Sequence, residues 1–485
     1  MEEFEMRQLV PKKEIWSMLI KAFFSDDFCE NVRLIPFRIR PQNSVEVTRC
    51  CVYKDRAVAR KRLLAAMGLP IEWDDETIPL DRYASEAYTA ENEFENALTI
   101  LQTACDGCHG NEVFVTNLCH GCPAEACFKS CKFGAISFDA ERKSVIDQTK
   151  CKKCQRCVAA CPYNAIVKLS APCEKACPLG AIHKDETGRA SIDPDKCISC
   201  GRCIPACPFS AVCLISRMLG VLKAIKDGRK VVALLAPSAA GQFAETNVKQ
   251  LKTALIKAGF YDAFEVAWGA DVTARLEANE FRERMARGDK FMTTSCCAGY
   301  RQLVAKQLPE IAPYVSSVET PMHYTAEYVK QHIKDAVVVF LSPCAAKMAE
   351  DYYDEFVDFV INFGELEALF DALEINPAEC EETEFELSSS REGRNFANTG
   401  GVSEAVQNAM PEDIPVKICR INGMDKENLA KLRRFAITGE ADGCNLVEVM
   451  CCEGGCAGGN MVIRPREEVA KQVAGYSKEG RSLAD

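Results

Sequence analysis

Residues 151–162 read CKKCQRCVAACP and residues 197–208 read CISCGRCIPACP, so that Cys151, Cys154, Cys157 and Cys161 recur 46 positions on as Cys197, Cys200, Cys203 and Cys207. The same offset carries Cys127 to Cys173 and Cys131 to Cys177. Six spacings do not repeat by chance, and residues 99–215 are an internal repeat. A short signature follows the last cysteine of each half-unit: CKFGAI from Cys131, CPYNAI from Cys161, CPLGAI from Cys177 and CPFSAV from Cys207, which makes four quarter-units.

Both runs have the C-x2-C-x2-C-x3-C-P spacing of bacterial ferredoxins, in which three cysteines wrap one [4Fe-4S] cluster and the fourth reaches across to another. The partner of the first run is CHGCPAEACFKSC, from Cys119 to Cys131, with a longer middle gap that resembles electron-transfer subunits of multi-cluster oxidoreductases. Crossing over assigns Cys119, Cys122, Cys127 and Cys161 to one cluster, and Cys151, Cys154, Cys157 and Cys131 to a second. Cys197, Cys200, Cys203 and Cys177 supply a third. Cys173 and Cys207 remain, and the remote pair Cys105 and Cys108 could complete a fourth; three clusters is the fallback. Structural zinc, which also binds C-x-x-C pairs, is the rival reading for Cys105 and Cys108.

The chain has 485 residues, enough for two or three domains, and 29 cysteines in short-spaced groups, a ligand pattern rather than a disulfide scaffold. The start, MEEFE, has neither the basic residues nor the apolar run of a secretory signal, so reduced thiols and a cytoplasmic location are expected. There is no apolar run of the roughly 18 residues needed to span a bilayer. A formal net charge of −11 argues against a nucleic-acid role, while local basic patches could still dock a small acidic electron carrier.

The expected architecture is α+β and α/β in three parts: a mostly helical region of unassigned role (1–98), a tandem ferredoxin-like [4Fe-4S] domain (99–215) and a two-lobed α/β domain (216–485). In the first part Lys54–Met67 reads as an amphipathic helix, and Cys50 and Cys51 read as two small buried thiols. In the last, Val231–Ala236, Ala263–Ala267, Phe291–Ser295 and Ala336–Ser342 read as strands, with helices over Phe243–Ala258 and Asp271–Ala286. Ligands of such sheets bind outside the carboxyl ends of the strands, where Cys296, Cys297 and Cys344 fall.

Three cysteine loops, TTSCCAGY (293–300), SPCAAKMAE (342–350) and EVMCCEGGCAGG (448–459), together resemble the H-cluster signatures of [FeFe] hydrogenases. The likeness runs from about residue 230 to 465 and is nearest to divergent group B members. It implies an H-cluster: a [4Fe-4S] cubane on Cys297, Cys344, Cys452 and Cys456, with Cys456 bridging to a two-iron subsite. The subsite carries carbon monoxide, cyanide and a bridging dithiolate amine, installed by maturation enzymes. Lys347, Pro237 and Ser238 would then contact its cyanides, and Met450 and Phe396 would pack around it. Gly454, Gly455, Gly458 and Gly459 are expected to let backbone approach a bulky cofactor.

Neighbouring side chains diverge, so Cys296 and Cys297 are not expected to hold one cluster. The resemblance makes Cys296 the thiol that passes protons to the bridging amine. It places Glu277, Glu280, Ser316 and Arg284 on the proton path to solvent, although acids and an arginine on one helical face would otherwise read as a surface salt bridge. The implied activity is interconversion of protons and electrons with H2, with electrons exchanged with ferredoxin or a similar carrier. A hydrogen sensor and a non-hydrogenase iron–sulfur protein of the same fold are the alternatives. Against the family pattern, Ala298 replaces a proline, Tyr300 a tryptophan, Ser342 a methionine, Met322 a glutamine and Cys451 an alanine, changes that bear on potential and proton affinity.

Overall fold

The structure, a computed structural model, describes residues 2–44, 48–89, 97–350, 354–410 and 415–484. The 46-residue repeat is visible in its backbone. Short helices Ala126–Ser130, Arg156–Ala160, Pro172–Ala176 and Cys203–Ala206 run directly into Cys131, Cys161, Cys177 and Cys207, each in extended conformation. The hairpin of Ile136–Phe138 with Ser144–Ile146 returns as Ile182–Lys184 with Ala190–Ile192. One unit closes by pairing Glu112–Val115 with Ile166–Leu169, the other by pairing Leu98–Ile100 with Val212–Leu214. The first unit is therefore inserted in the second, and Cys105 and Cys108 follow their closing strand as Cys119 and Cys122 follow theirs.

Beyond residue 216 the chain builds two parallel sheets. Asp262–Glu265, Val231–Leu235, Val337–Ser342 and Phe359–Asn362 lie side by side in that order. Met292–Thr293, Leu446–Met450 and Ile418–Asn422 form the second. Val231–Leu235 and Val337–Ser342 are buried along their whole length, as parallel strands covered on both faces must be.

Two expected helices are present with shifted starts. The first begins at Val248 rather than Phe243 because Asn247 accepts the Gln250 N–H at 2.9 Å while the Gln250 side chain accepts the Asn247 N–H, a capping box. The second, Val266–Ala286, starts a turn and a half early, straight from its strand. Its small residues allow close packing on the helix Pro321–His332: a Cβ on Gly269 would lie 2.2 Å from the Pro321 carbonyl oxygen.

The first hundred residues form helices Glu2–Phe23, Phe28–Ile39, Val52–Ala66 and Leu80–Thr89, whose Ile15, Leu19, Val32 and Leu63 join the apolar core that includes the four-stranded sheet. Cys50 and Cys51 are exposed, not buried as expected. They precede the helix Val52–Ala66 at its uncovered end, with their sulfurs 3.8 Å apart. Among the described residues no helix is long and apolar enough to cross a membrane.

Candidate functional site

The site is assembled from three strand ends. Met292–Thr293 delivers Cys296 and Cys297, Val337–Ser342 delivers Cys344, and Leu446–Met450 delivers Cys451, Cys452 and Cys456. Cys297, Cys344, Cys452 and Cys456 come together so closely that each of the six pairs interacts electrostatically. Burial, then mutual repulsion, pushes Cys344 up to about 12 and Cys452 and Cys456 well above the usual thiol range. Cys297 is held at about 6, chiefly by the hydrogen bond from the Cys451 thiol. Four thiols that repel one another as anions suit a cationic iron core, which supplies the missing positive charge. Among the described residues no group of three or more His, Cys, Asp or Glu side chains surrounds a single metal ion, whose four sulfurs would stand about 3.8 Å apart.

The surroundings also fit a polar guest. Ser238 is fully buried in the turn after Val231–Leu235, and its hydroxyl has no partner. Pro237 opens that turn. Lys347 is buried beside Cys344 and Cys456, donating to Thr320 Oγ1 at 3.0 Å. Phe396 and Met450 share an apolar cluster with Cys296 and Cys297. Two of the four loop glycines also have a packing reason. A Cβ on Gly455 would meet the Ala397 oxygen at 2.5 Å and one on Gly458 the Glu453 oxygen at 2.0 Å, so these two are required by chain-on-chain packing.

From Cys296 a line of polar groups leads outward. Glu277, fully buried on the helix Val266–Ala286, is the acid that acts on it most strongly and is itself pushed to about 7 by burial. One Glu277 oxygen accepts the Ser295 N–H at 2.9 Å and its hydroxyl at 3.1 Å; the other has no partner. Ser316 stabilises the Glu277 charge and donates to Glu280 at 2.7 Å. Burial opposes the charge on Glu280, but Ser316 and Arg284 outweigh it and hold the carboxyl below its usual range. Arg284, donating to Glu280 at 2.7 and 2.9 Å, is fixed by the carbonyls of Pro313 and Val315. It is buried, not a surface salt bridge.

A family model for the iron only hydrogenase large subunit, C-terminal domain, matches residues 229–460, the part that builds this site. The chain is [FeFe]-hydrogenase-like. A 4Fe-4S dicluster domain model matches 171–211 of this hydrogenase-like chain and a 4Fe-4S binding domain model matches 144–167. Iron hydrogenase 1 of Clostridium pasteurianum is 29% identical over 386 residues, covering 68% of this chain and 67% of that protein. NADP-reducing hydrogenase subunit HndD of Solidesulfovibrio fructosivorans is 27% identical over 260 residues, 43% of this chain and 44% of that one. Protein NAR1 of Arabidopsis thaliana is 22% identical over 340 residues, 54% and 72% of the two chains.

The hydrogenase-like chain gathers sixteen further cysteines in four sets. Cys119, Cys122, Cys127 and Cys161 line one small cavity, and Cys131, Cys151, Cys154 and Cys157 another. Cys177, Cys197, Cys200 and Cys203 all influence one another. Cys105 and Cys207 both act on Cys108, and Cys207 acts on Cys173, which joins the remote pair to the fourth set. Backbone N–H groups point at the sulfurs in register: Ala165, Ala181 and Ala211 at 3.3–3.4 Å from Cys161, Cys177 and Cys207, and Ala190 at 3.4 Å from Cys105.

The third set abuts the tetrad. Cys200 acts on both Cys451 and Cys452, and the Asn460 amide spans the gap, donating to the Cys200 carbonyl at 2.9 Å and toward the Cys452 sulfur at 3.7 Å. Sequence reasoning missed Asn460, Ser295, Thr320 and Glu448. Glu448 is a buried carboxylate that accepts the Gly400 and Ser403 N–H groups and lies near Cys296 and Cys456. The only signal for Ser295 or Asn460 was adjacency to a cysteine loop. Of the departures, Tyr300 is buried with its hydroxyl 3.0 Å from Thr293 Oγ1, Met322 and Ser342 are buried, and Cys451 packs on Gly299. Ala298 starts the helix Ala298–Gln307.

Proposed function

We propose that this chain interconverts protons and electrons with H2 at an H-cluster, with electrons passing through four accessory [4Fe-4S] clusters to or from ferredoxin or a similar carrier. The observation that carries the reading is the meeting, at one point, of the Cys297, Cys344, Cys452 and Cys456 tetrad with a line of polar groups that begins at Cys296. The tetrad would hold the cubane, Cys456 would bridge to the two-iron subsite with its carbon monoxide, cyanide and dithiolate ligands, and Lys347, Pro237, Ser238, Met450 and Phe396 would enclose it. When bound, that group supplies the centre at which protons and electrons combine as H2.

The chain's own part is proton handling and insulation. Burial keeps Cys296 a neutral thiol, so it holds a proton beside the subsite. Glu277, poised near neutrality, exchanges that proton, Ser316 links it to Glu280, and Arg284 keeps Glu280 ionised and able to accept. Asn460 joins the third accessory set to the tetrad as the last step of the electron route. A cytoplasmic location and dependence on maturation enzymes belong to the same proposal.

The second reading is an iron–sulfur protein of this fold without the two-iron group, kept beside the first by the similarity to Protein NAR1. Infrared spectra of protein produced with its maturation machinery decide between them. Carbon monoxide and cyanide bands with H2 evolution are expected, and evolution should collapse in Cys296→Ala while the bands persist. A spectrum without these bands would establish the second reading; bands with only slow turnover would point to a hydrogen sensor.

A further inference from the structure

A cavity of about 1040 Å³ lies between the helix Val52–Ala66 of the N-terminal region and the second repeat unit. Five cations line it: Arg40, Arg49, Lys54, Arg62 and Arg189. Against them stand two carboxylates, of which Asp55 is already taken up by Arg40 at 3.3 Å and by the Thr48 N–H and hydroxyl at 2.9 Å. Two buried polar atoms on the wall lack partners, Arg62 Nε and Thr103 Oγ1. Burial, with Arg49 adding to it, lowers Arg62 to about 10, so its charge is under-compensated. Apolar surface from Ile15, Ile39 and Val58 completes the wall, along with Phe209, which has Arg49 over its ring at 6.0 Å. Cys105 also lines the cavity.

We propose that this cavity is a binding site for a phosphate-bearing nucleotide, held against the fourth accessory set. The size is that of a cofactor site, for which about 300–1,000 Å³ is typical, and far exceeds a bare oxyanion. The excess of cations selects negative charge, the unpartnered guanidinium nitrogen and hydroxyl supply donors, and the apolar wall with Phe209 accepts a ring system. An occupant touching Cys105 lies at the edge of the electron chain, which gives the first hundred residues a role: they form one wall of a small-molecule site where electrons enter or leave. That electron-transfer sense rests on the accessory-cluster reading; the binding itself does not.

The test uses the full chain, anaerobic and with its clusters reconstituted, titrated with FMN, NADPH and inorganic phosphate. One saturable site for FMN or NADPH is expected, with phosphate at least tenfold weaker. Lys54 is half-buried and Arg189 exposed, and Lys54→Glu with Arg189→Glu should weaken the nucleotide at least tenfold while circular dichroism and iron content stay unchanged. Independently of any variant, the nucleotide should slow alkylation of Cys50, an exposed thiol on the cavity wall, as read by peptide mass spectrometry. Absence of saturable nucleotide binding, phosphate binding as tightly as the nucleotide, an unaffected charge-reversal variant or unprotected Cys50 each overturns the proposal. Nucleotide binding in protein whose iron count lacks the fourth cluster would leave the site standing and remove the accessory-cluster reading.

Discussion

Glu277→Gln should move activity and stability in opposite directions, which separates a proton carrier from a structural residue. The substitution is nearly isosteric. The amide oxygen can keep the Ser295 N–H, and the amide nitrogen takes the place of the oxygen that has no partner. Burial raises the Glu277 carboxyl from 4.5 to about 7, so the folded state favours its protonated form. Below pH 4.5 the group is protonated folded or unfolded and costs nothing. Between 4.5 and 7 the unfolded chain ionises while the folded chain keeps its proton, so the wild type loses stability as pH rises. Above 7 the loss is complete, on the order of 3 kcal/mol at ~1.4 kcal/mol per pKa unit. The glutamine variant escapes it. At pH 8 its thermal midpoint should exceed that of the wild type, at pH 5 the two should nearly coincide, and H2 evolution should fall about 10²- to 10⁴-fold at both. Turnover within about threefold of the wild type, or a stability difference independent of pH, would refute the reasoning.

Three further outcomes follow from the same structure. Replacing Cys105 and Cys108 by serine should remove about four iron atoms per chain by elemental analysis while leaving the other accessory signals in electron paramagnetic resonance; unchanged iron would return the pair to another role. Asn460→Ala deletes the amide aimed at the Cys452 sulfur and should make the tetrad's cubane harder to reduce, by up to about tenfold in the reduced-to-oxidised ratio or about 59 mV in a redox titration. Gly269→Ala places a Cβ 2.2 Å from the Pro321 oxygen and should cost about 1–3 kcal/mol in thermal or denaturant unfolding, with activity lost only as folding is lost.

The cysteine spacing alone determined the iron–sulfur character of this protein, because cluster ligation demands thiolates at short fixed intervals and a 46-residue offset survives in plain letters. Parallel-strand runs such as Val231–Leu235 were legible for a similar reason, since burial on both faces leaves an unbroken apolar run. The tertiary structure decided what depends on contacts between distant segments. Pairing of Leu98–Ile100 with Val212–Leu214 brings Cys105 and Cys108 to Cys207, a closure no local pattern encodes. Burial turns the Glu277, Glu280 and Arg284 face from an ordinary helical salt bridge into an enclosed line from Cys296, and it left Cys50 and Cys51 exposed where a buried pair was expected. Asn460 between two cluster sites, and the cation-lined cavity against the N-terminal helices, are likewise products of packing: spacing specifies which atoms can bind, and only the fold decides which of them meet.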